Sequence, residues 1–279
     1  MADLYAVSDI HVTHAENADL VQAMQPVDPS DWLIVAGDVA ATVSQVQDTL
    51  QLLRQRWSRV LWVPGNHELW TTREDANQAR GAERYTALVA ACRQVDVLTP
   101  EDLSPVFASV EGPRVVAGMF LLYDYSFRPR GMTAAQAMAW AHDSGVVCND
   151  EFLLHPDPHS SREAWCRERV ALTSNRLDRL VRGLDADTKT VLVNHFPLRA
   201  EHTKPLYYQQ FAQWCGTVHT EDWHLRYRAS DVVYGHLHIP RHSVTDGVRF
   251  HEVSIGYPRE RQLRGSAPLA PRLILRGAS

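Results

Sequence analysis

The chain has 279 residues, with 28 lysines and arginines against 33 aspartates and glutamates and a net charge of −5. That balance supplies no basic field for a nucleic-acid backbone, and the length is ample to bury a core. A mildly negative protein still accommodates a phosphate ester where bound cations set the local charge.

Short apolar runs at residues 4–7, 32–36 and 60–63 predict strands, which lead into Ser8-Asp9, Gly37-Asp38 and Pro64-Gly65-Asn66. Between them the pattern predicts helices over 17–24 and 44–57. The second places Val46, Leu50, Leu53 and Trp57 on one face behind an N-cap at Ser44. A helix over 76–92 is followed by predicted strands at 95–98, 106–110 and 115–117. Residues 119–160 differ, being rich in aromatics (Phe120, Tyr123, Tyr125, Phe127) and turn residues, with a short helix from Thr133. They read as an insertion over one sheet edge that caps the substrate side. A long helix over 161–181 returns to strands at 191–193 and 232–234, then a hairpin over 242–253 turns at Asp246-Gly247. The last residues carry Gly, Pro and Ser and are expected to be loosely held. Strands alternating with helices predict an α/β protein, and no repeat or linker divides residues 1–279, so one domain is expected.

The four cysteines, Cys92, Cys148, Cys166 and Cys215, are scattered without a CxxC pair. This fits reduced thiols in a cytoplasmic protein better than a disulfide framework or a structural zinc site. Residues 1–10 lack the layout of a signal peptide, and no apolar run approaches a membrane span.

Five segments share one design, a strand that ends in metal-capable side chains. They are Asp9-Ile10-His11, Gly37-Asp38, Gly65-Asn66-His67-Glu68, Asn194-His195 and Gly235-His236-Leu237-His238. Sites in α/β sheets form where the loops at the carboxyl ends of strands converge. Imidazole suits Zn and Fe, while carboxylate and amide oxygens suit harder ions such as Mn, so the mixed set describes a pair of divalent ions bridged by a carboxylate. The glycines before Asp38, Asn66 and His236 are expected to let the backbone turn sharply. A lone histidine is more often packed than a ligand. Five polar clusters, each ending an apolar strand, have no structural reason to occur together.

The ordered pattern DxH, GD, GNHE, NH and GHxH resembles the signature of the calcineurin-like metallophosphoesterases. The resemblance implies a four-layer fold, a β-sandwich of two mixed sheets flanked by helices, and a centre of two divalent ions (Mn, Fe or Zn). It implies Asp9, His11 and His238 on one ion, Asn66, His195 and His236 on the other, with Asp38 bridging. His67 would protonate the leaving oxygen or steady the transition state, so His67, Asn66 and Asp38 are the catalytic candidates. One departure is the GDVAAT segment, which lacks the arginine that follows GD in many members. Glu68 is expected to orient its loop rather than transfer protons.

The stretches DWLIVAGDVA, VLWVPGNHELWTT, MFLLYDYSF and VSIGYPRE are similar to an actinobacterial branch of that family that includes an enzyme removing 4′-phosphopantetheine from holo acyl carrier protein. That implies a phosphodiesterase with a carrier-protein partner. The alternatives are a phosphomonoesterase or phosphodiesterase of a small molecule or nucleotide, and an inactive scaffold of the same fold. Tyr123, Arg128, Tyr207 and Arg241 are candidate substrate contacts. Arg128, Arg130, Arg199 and Lys204 are candidates for a patch receiving an acidic carrier.

Overall fold

A computed structural model describes residues 1–265 and 270–278. The first half of the chain runs β1 (Leu4–Val7), α1 (Ala15–Ala23), β2 (Trp32–Val35), α2 (Val43–Arg54), β3 (Arg59–Trp62), α3 (Asn66–Leu69), α4 (Gly81–Gln94), β4 (Val106–Ser109) and β5 (Gly112–Gly118). There follow α5 (Ala134–Asp143), α6 (Asp150–Leu153), α7 (Arg162–Arg182), β6 (Lys189–Val193), α8 (Trp223–Arg226), β7 (Ala229–Tyr234), β8 (Arg241–Thr245), β9 (Val248–Glu252), α9 (Pro258–Arg264) and β10 (Arg272–Leu275). Two mixed sheets form, with strand orders β10-β1-β2-β3 and β4-β5-β6-β7-β9-β8. Strands β1, β2 and β3 are parallel, as are β5, β6, β7 and β9; β10, β4 and β8 run antiparallel at the edges.

The period of two along each strand builds the four layers. Leu4, Ala6, Ile34, Leu61, Val191, Val193 and Val233 point inward and pack sheet on sheet. Val7, Leu33, Val35, Val60 and Trp62 point the other way, against Val46, Leu50 and Leu53 of α2 and Leu88 of α4. Leu192, Val232 and Tyr234 do the same beneath Leu177 of α7 and Trp223 of α8. Strands buried on both faces read as continuous apolar runs, which made them visible in the sequence. The two-sheet sandwich flanked by helices is the expected fold.

Several local expectations are corrected. Thr42, not Ser44, caps α2, its side chain accepting from Gln45 N. Residues 95–98 make only a single bridge, Leu98 to Leu61, beside β3. Of the chain end expected to be loose, Arg272–Leu275 is strand β10, paired antiparallel with β1; residues 266–269 and 279 lie outside the described residues. Within 119–160, the stretch expected as an insertion and cap, Phe120, Leu122, Tyr123 and Tyr125 are core residues. All four cysteines are buried and unbonded to one another. Among the described residues no helix is long and apolar enough to cross a membrane.

A charge network centred on the buried Asp231 braces the larger sheet. Asp231 on β7 accepts from Arg249 Nε (2.7 Å) and Nη2 (2.9 Å) and lies 2.9 Å from His251 Nε2, both partners on β9. Arg249 also reaches Glu111, at the turn between β4 and β5, at 2.9 Å. Burial works to raise the Asp231 pKa, but the hydrogen bonds from His251 and Arg249 outweigh it and bring it down to about 2. The folded value lies below the unfolded one, so the stabilisation is complete above the unfolded pKa and is lost as pH falls towards the folded value. From the size of that shift it amounts to about 2 kcal/mol. Urea unfolding should therefore show the wild type losing about 2 kcal/mol more than Asp231→Asn between about pH 5 and pH 2. Parallel pH dependences would show that the pair does not form.

Candidate metal centre

The parallel strands of both sheets end at one place. Backbone bonds stitch their loops together: Asp9 N to Gly37 O (2.9 Å), His11 N to Asp38 O (3.0 Å), Gly235 N to His195 O (2.9 Å) and Ser8 N to Val253 O (3.0 Å). Approach is so close that a Cβ on Gly65 would stand 2.1 Å from Asp38 Oδ1, and one on Gly235 would stand 2.0 Å from Ser8 Oγ. These two glycines are therefore required for space. Of the three glycines that precede Asp38, Asn66 and His236, Gly37 alone, at φ +89°, needs the left-handed region. Asp9, His11, Asp38, His236 and His238 themselves adopt positive φ, between 38° and 70°. Such conformations cost free energy in non-glycine residues and cluster at functional sites.

All seven donor residues named from the sequence come together. Asp9 Oδ1 lies 3.0 Å from His238 Nε2, and His238 Nε2 lies 3.2 Å from His11 Nε2. Asp38 Oδ2 is central, 3.9 Å from His11 Nε2, 3.5 Å from His195 Nε2 and 3.8 Å from His67 Nε2. His195 Nε2 is 3.2 Å from both Asn66 Oδ1 and His236 Nδ1. Three triplets, Asp9-His11-His238, His11-Asp38-His67 and Asp9-Asp38-His195, each bring their donor atoms within 4.8 Å of one another. Asp9, His11, Asp38, Asn66, His195 and His236 are buried. Buried carboxylates and imidazoles packed this way, with donor atoms turned towards one another, fit divalent cations.

The electrostatics are strained in the same sense. Burial, with the Glu68 and Asp9 charges, pushes the Asp38 carboxyl well above its usual range. Burial also pushes His11, His67 and His236 well below theirs, helped by neighbouring imidazoles. His238 goes the other way: burial opposes its charge, but the Asp9 and Glu260 carboxylates prevail and raise it well above the usual value.

A surrounding layer holds these groups, and most of it escaped the sequence reading. Glu260 Oε2 lies 2.6 Å from His238 Nδ1, and Ser254 Oγ donates to Asp9 Oδ2 at 2.7 Å. The Tyr257 ring stacks on His11 (centroids 4.5 Å), and its hydroxyl is 3.3 Å from His67 Nε2. The available signal was Tyr257-Pro258-x-Glu260, with proline at the first helical position and glutamate at the third, which marks a helix start. Glu68 behaves as expected: its buried carboxylate accepts from Asp38 N (3.0 Å), Val39 N (2.7 Å) and Gly65 N (2.9 Å).

A cleft of about 750 Å³ opens from Asp38, Asn66, His67, His236 and His238 towards an apolar wall of Val146, Val147, Leu206, Phe211 and Ile239. Of the candidate substrate contacts, Tyr207, 89% exposed, is among the residues lining it. Tyr123, Arg128 and Arg241 lie outside its lining. Tyr123 is buried in the core, Arg128 donates to Met132 O and Tyr125 O, and Arg241 Nη2 lies 3.4 Å from His202 Nδ1. Arg130, Arg199 and Lys204 are also outside it. Residues 144–147 do form one side of the cleft, so part of the 119–160 stretch faces the site.

The calcineurin-like phosphoesterase family model matches residues 3–240, and the chain belongs to that family. It is thus a phosphate-ester hydrolase of a class that works with divalent metal ions. The chain is 52% identical over 258 residues to the acyl-carrier-protein phosphodiesterase PptH of Mycobacterium tuberculosis, covering 92% of this chain and 78% of that protein. A crystal structure of phosphopantetheinyl hydrolase PptH from the same organism superposes with a TM-score of 0.93 at 49% identity, covering 98% of this chain and 96% of that one.

Glu68→Gln turns one acceptor oxygen into an NH2 group facing backbone N–H donors. The substitution should cost about 1–3 kcal/mol in urea unfolding. A stability equal to that of the wild type would mean that the carboxylate does not organise these loops.

Proposed function

We propose that this chain hydrolyses the phosphodiester joining a 4′-phosphopantetheine arm to a serine of holo acyl carrier protein. The observation that carries the reading is the 52% identity, across 92% of the chain, to a protein named for that activity. The cleft supports it. Its wall is largely apolar, and among the described lining residues only Arg264 bears a permanent positive charge. That guanidinium is already engaged by the carbonyls of His238 and Ile255. A neutral, extended arm suits such a wall better than a polyanionic nucleotide. Side chains from the ends of strands in both sheets meet in one cluster, which supports reading the chain as a single domain.

Asp9, His11 and His238 would hold one divalent ion and Asn66, His195 and His236 the other, with Asp38 shared. Mn, Fe and Zn all suit this set. When bound, such a pair supplies polarisation of the phosphoryl oxygens and a water of lowered pKa as nucleophile. The chain's own part is to hold the donors and manage the leaving group. Glu260 and Ser254 fix the orientation of His238 and Asp9. His67, 17% exposed at the cleft between Trp70 and Tyr257, would protonate the leaving serine oxygen or, as the neutral ring that burial favours, steady the transition state with a hydrogen bond. With no arginine after Gly37-Asp38, phosphate binding falls to the metal centre and His67.

His67→Ala should retain bound metal and slow turnover by ~100–10,000-fold, whereas Asp38→Ala should lose both metal and activity. Intact-mass spectrometry of holo carrier protein incubated with the manganese-loaded chain tests the substrate. Loss of the phosphopantetheine mass with the wild type, and not with Asp38→Ala, is the expected result. A carrier left intact while bis-p-nitrophenyl phosphate is cleaved would refute the carrier reading and point to a small-molecule ester.

A further inference from the structure

The aromatic stretch 119–160 reaches the ligand cluster through one buried carboxylate. Asp150, the first residue of α6, is fully buried, and its Oδ1 accepts from Asn66 Nδ2 at 2.9 Å and from Trp70 Nε1 at 2.6 Å. Both donors flank His67 in sequence. A carboxamide is nearly symmetric in shape and opposite in hydrogen bonding at its two ends. With Nδ2 committed to Asp150, Asn66 must turn Oδ1, its only good donor to a cation, towards His195 and the cluster. Trp70, held by the same carboxylate oxygen, lays its indole against the His67 ring, with centroids 3.7 Å apart.

We propose that Asp150 is a positioning residue of this hydrolase, setting the amide of Asn66 for a cation and seating His67 through Trp70. The inference rests on Asn66 being a metal ligand. Asp150 is well braced for the task. Arg162 donates to the carbonyls of Asp150 (2.7 Å) and Leu154 (2.9 Å) and to the Glu151 carboxylate (2.9 Å). Glu151 in turn accepts from Tyr125 and Trp214, each at 2.8 Å. Thr71 N donates to Leu153 O at 3.0 Å, and Trp70 bridges to Leu154, so α6 is laced to the loop that follows His67. The aromatic packing thus has a purpose at the centre: it holds a short helix at the depth where one carboxylate meets a ligand amide.

The test is calorimetric titration of the metal-stripped full chain with Mn²⁺, for the wild type, Asp150→Ala, Asp150→Asn, Asn66→Ala and the Asn66→Ala/Asp150→Ala pair. Losing such an outer partner should weaken Mn²⁺ binding in Asp150→Ala by ~10–100-fold. Asp150→Asn keeps an acceptor oxygen for both donors and should stay within about threefold of the wild type. The double variant should bind no more weakly than Asn66→Ala alone, because the two residues act as one unit. Unaltered affinity in Asp150→Ala, or losses that simply add, would overturn the proposal. The wild-type isotherm separately reports whether the donor set takes the ion at all. Independently of any variant's folding, an atomic-resolution structure of the manganese-loaded wild type should show Asn66 Nδ2 on Asp150. An amide turned the other way would also overturn it.

Discussion

Three peptide N–H groups converge on the buried carboxylate of Glu68, and the geometry of the centre depends on that convergence. By accepting from Asp38, Val39 and Gly65, the side chain locks the loop after β2 against the turn after β3. It holds Asp38 at φ 56°, where its carboxylate faces His11, His195 and His67 together. Arg84, buried beneath, donates to the Glu68 carbonyl at 2.6 Å and to the Asp75 carboxylate at 2.9 Å. The acid that holds the loops is thus itself fixed by a helix of the outer layer.

A site made this way combines local cost with global support. Five donor residues sit in left-handed backbone conformations, and buried carboxylates and imidazoles press on one another. Neither would persist unless the surrounding fold determined it from several sides. The sandwich does so, because parallel strands of both sheets deliver their carboxyl ends to one edge, and because Gly65 and Gly235 leave room for the loops to touch. Cations complementary to the cluster would relieve the same repulsions that the fold has built in.

The strand-end motifs were legible because the strands carrying them are buried on both faces and read as unbroken apolar runs that stop at Asp, Asn or His. The order of these motifs carried the family resemblance, and that resemblance pointed to the seven candidate donors which the fold brings together. What stayed hidden depends on contacts between residues distant in sequence. Strand β10 looked like a frayed end, because the strand it pairs with, β1, lies at the other end of the chain. Asp150 looked like one acid among many, since its meaning comes from Asn66, 84 positions away. Tyr123 and Arg128 drew attention as residue types suited to substrate binding. In the fold the first is core and the second ties down a turn, and composition alone does not separate those uses.

In the proposed centre, side chains from five strand-end loops hold two ions with Asp38 shared between them. Titration of the metal-stripped chain with Mn²⁺, followed by electron paramagnetic resonance, tests it most directly. Saturation at two ions per chain with an exchange-coupled signal is expected, because a shared carboxylate keeps the pair close. Saturation at one ion, or two magnetically independent ions, would contradict it.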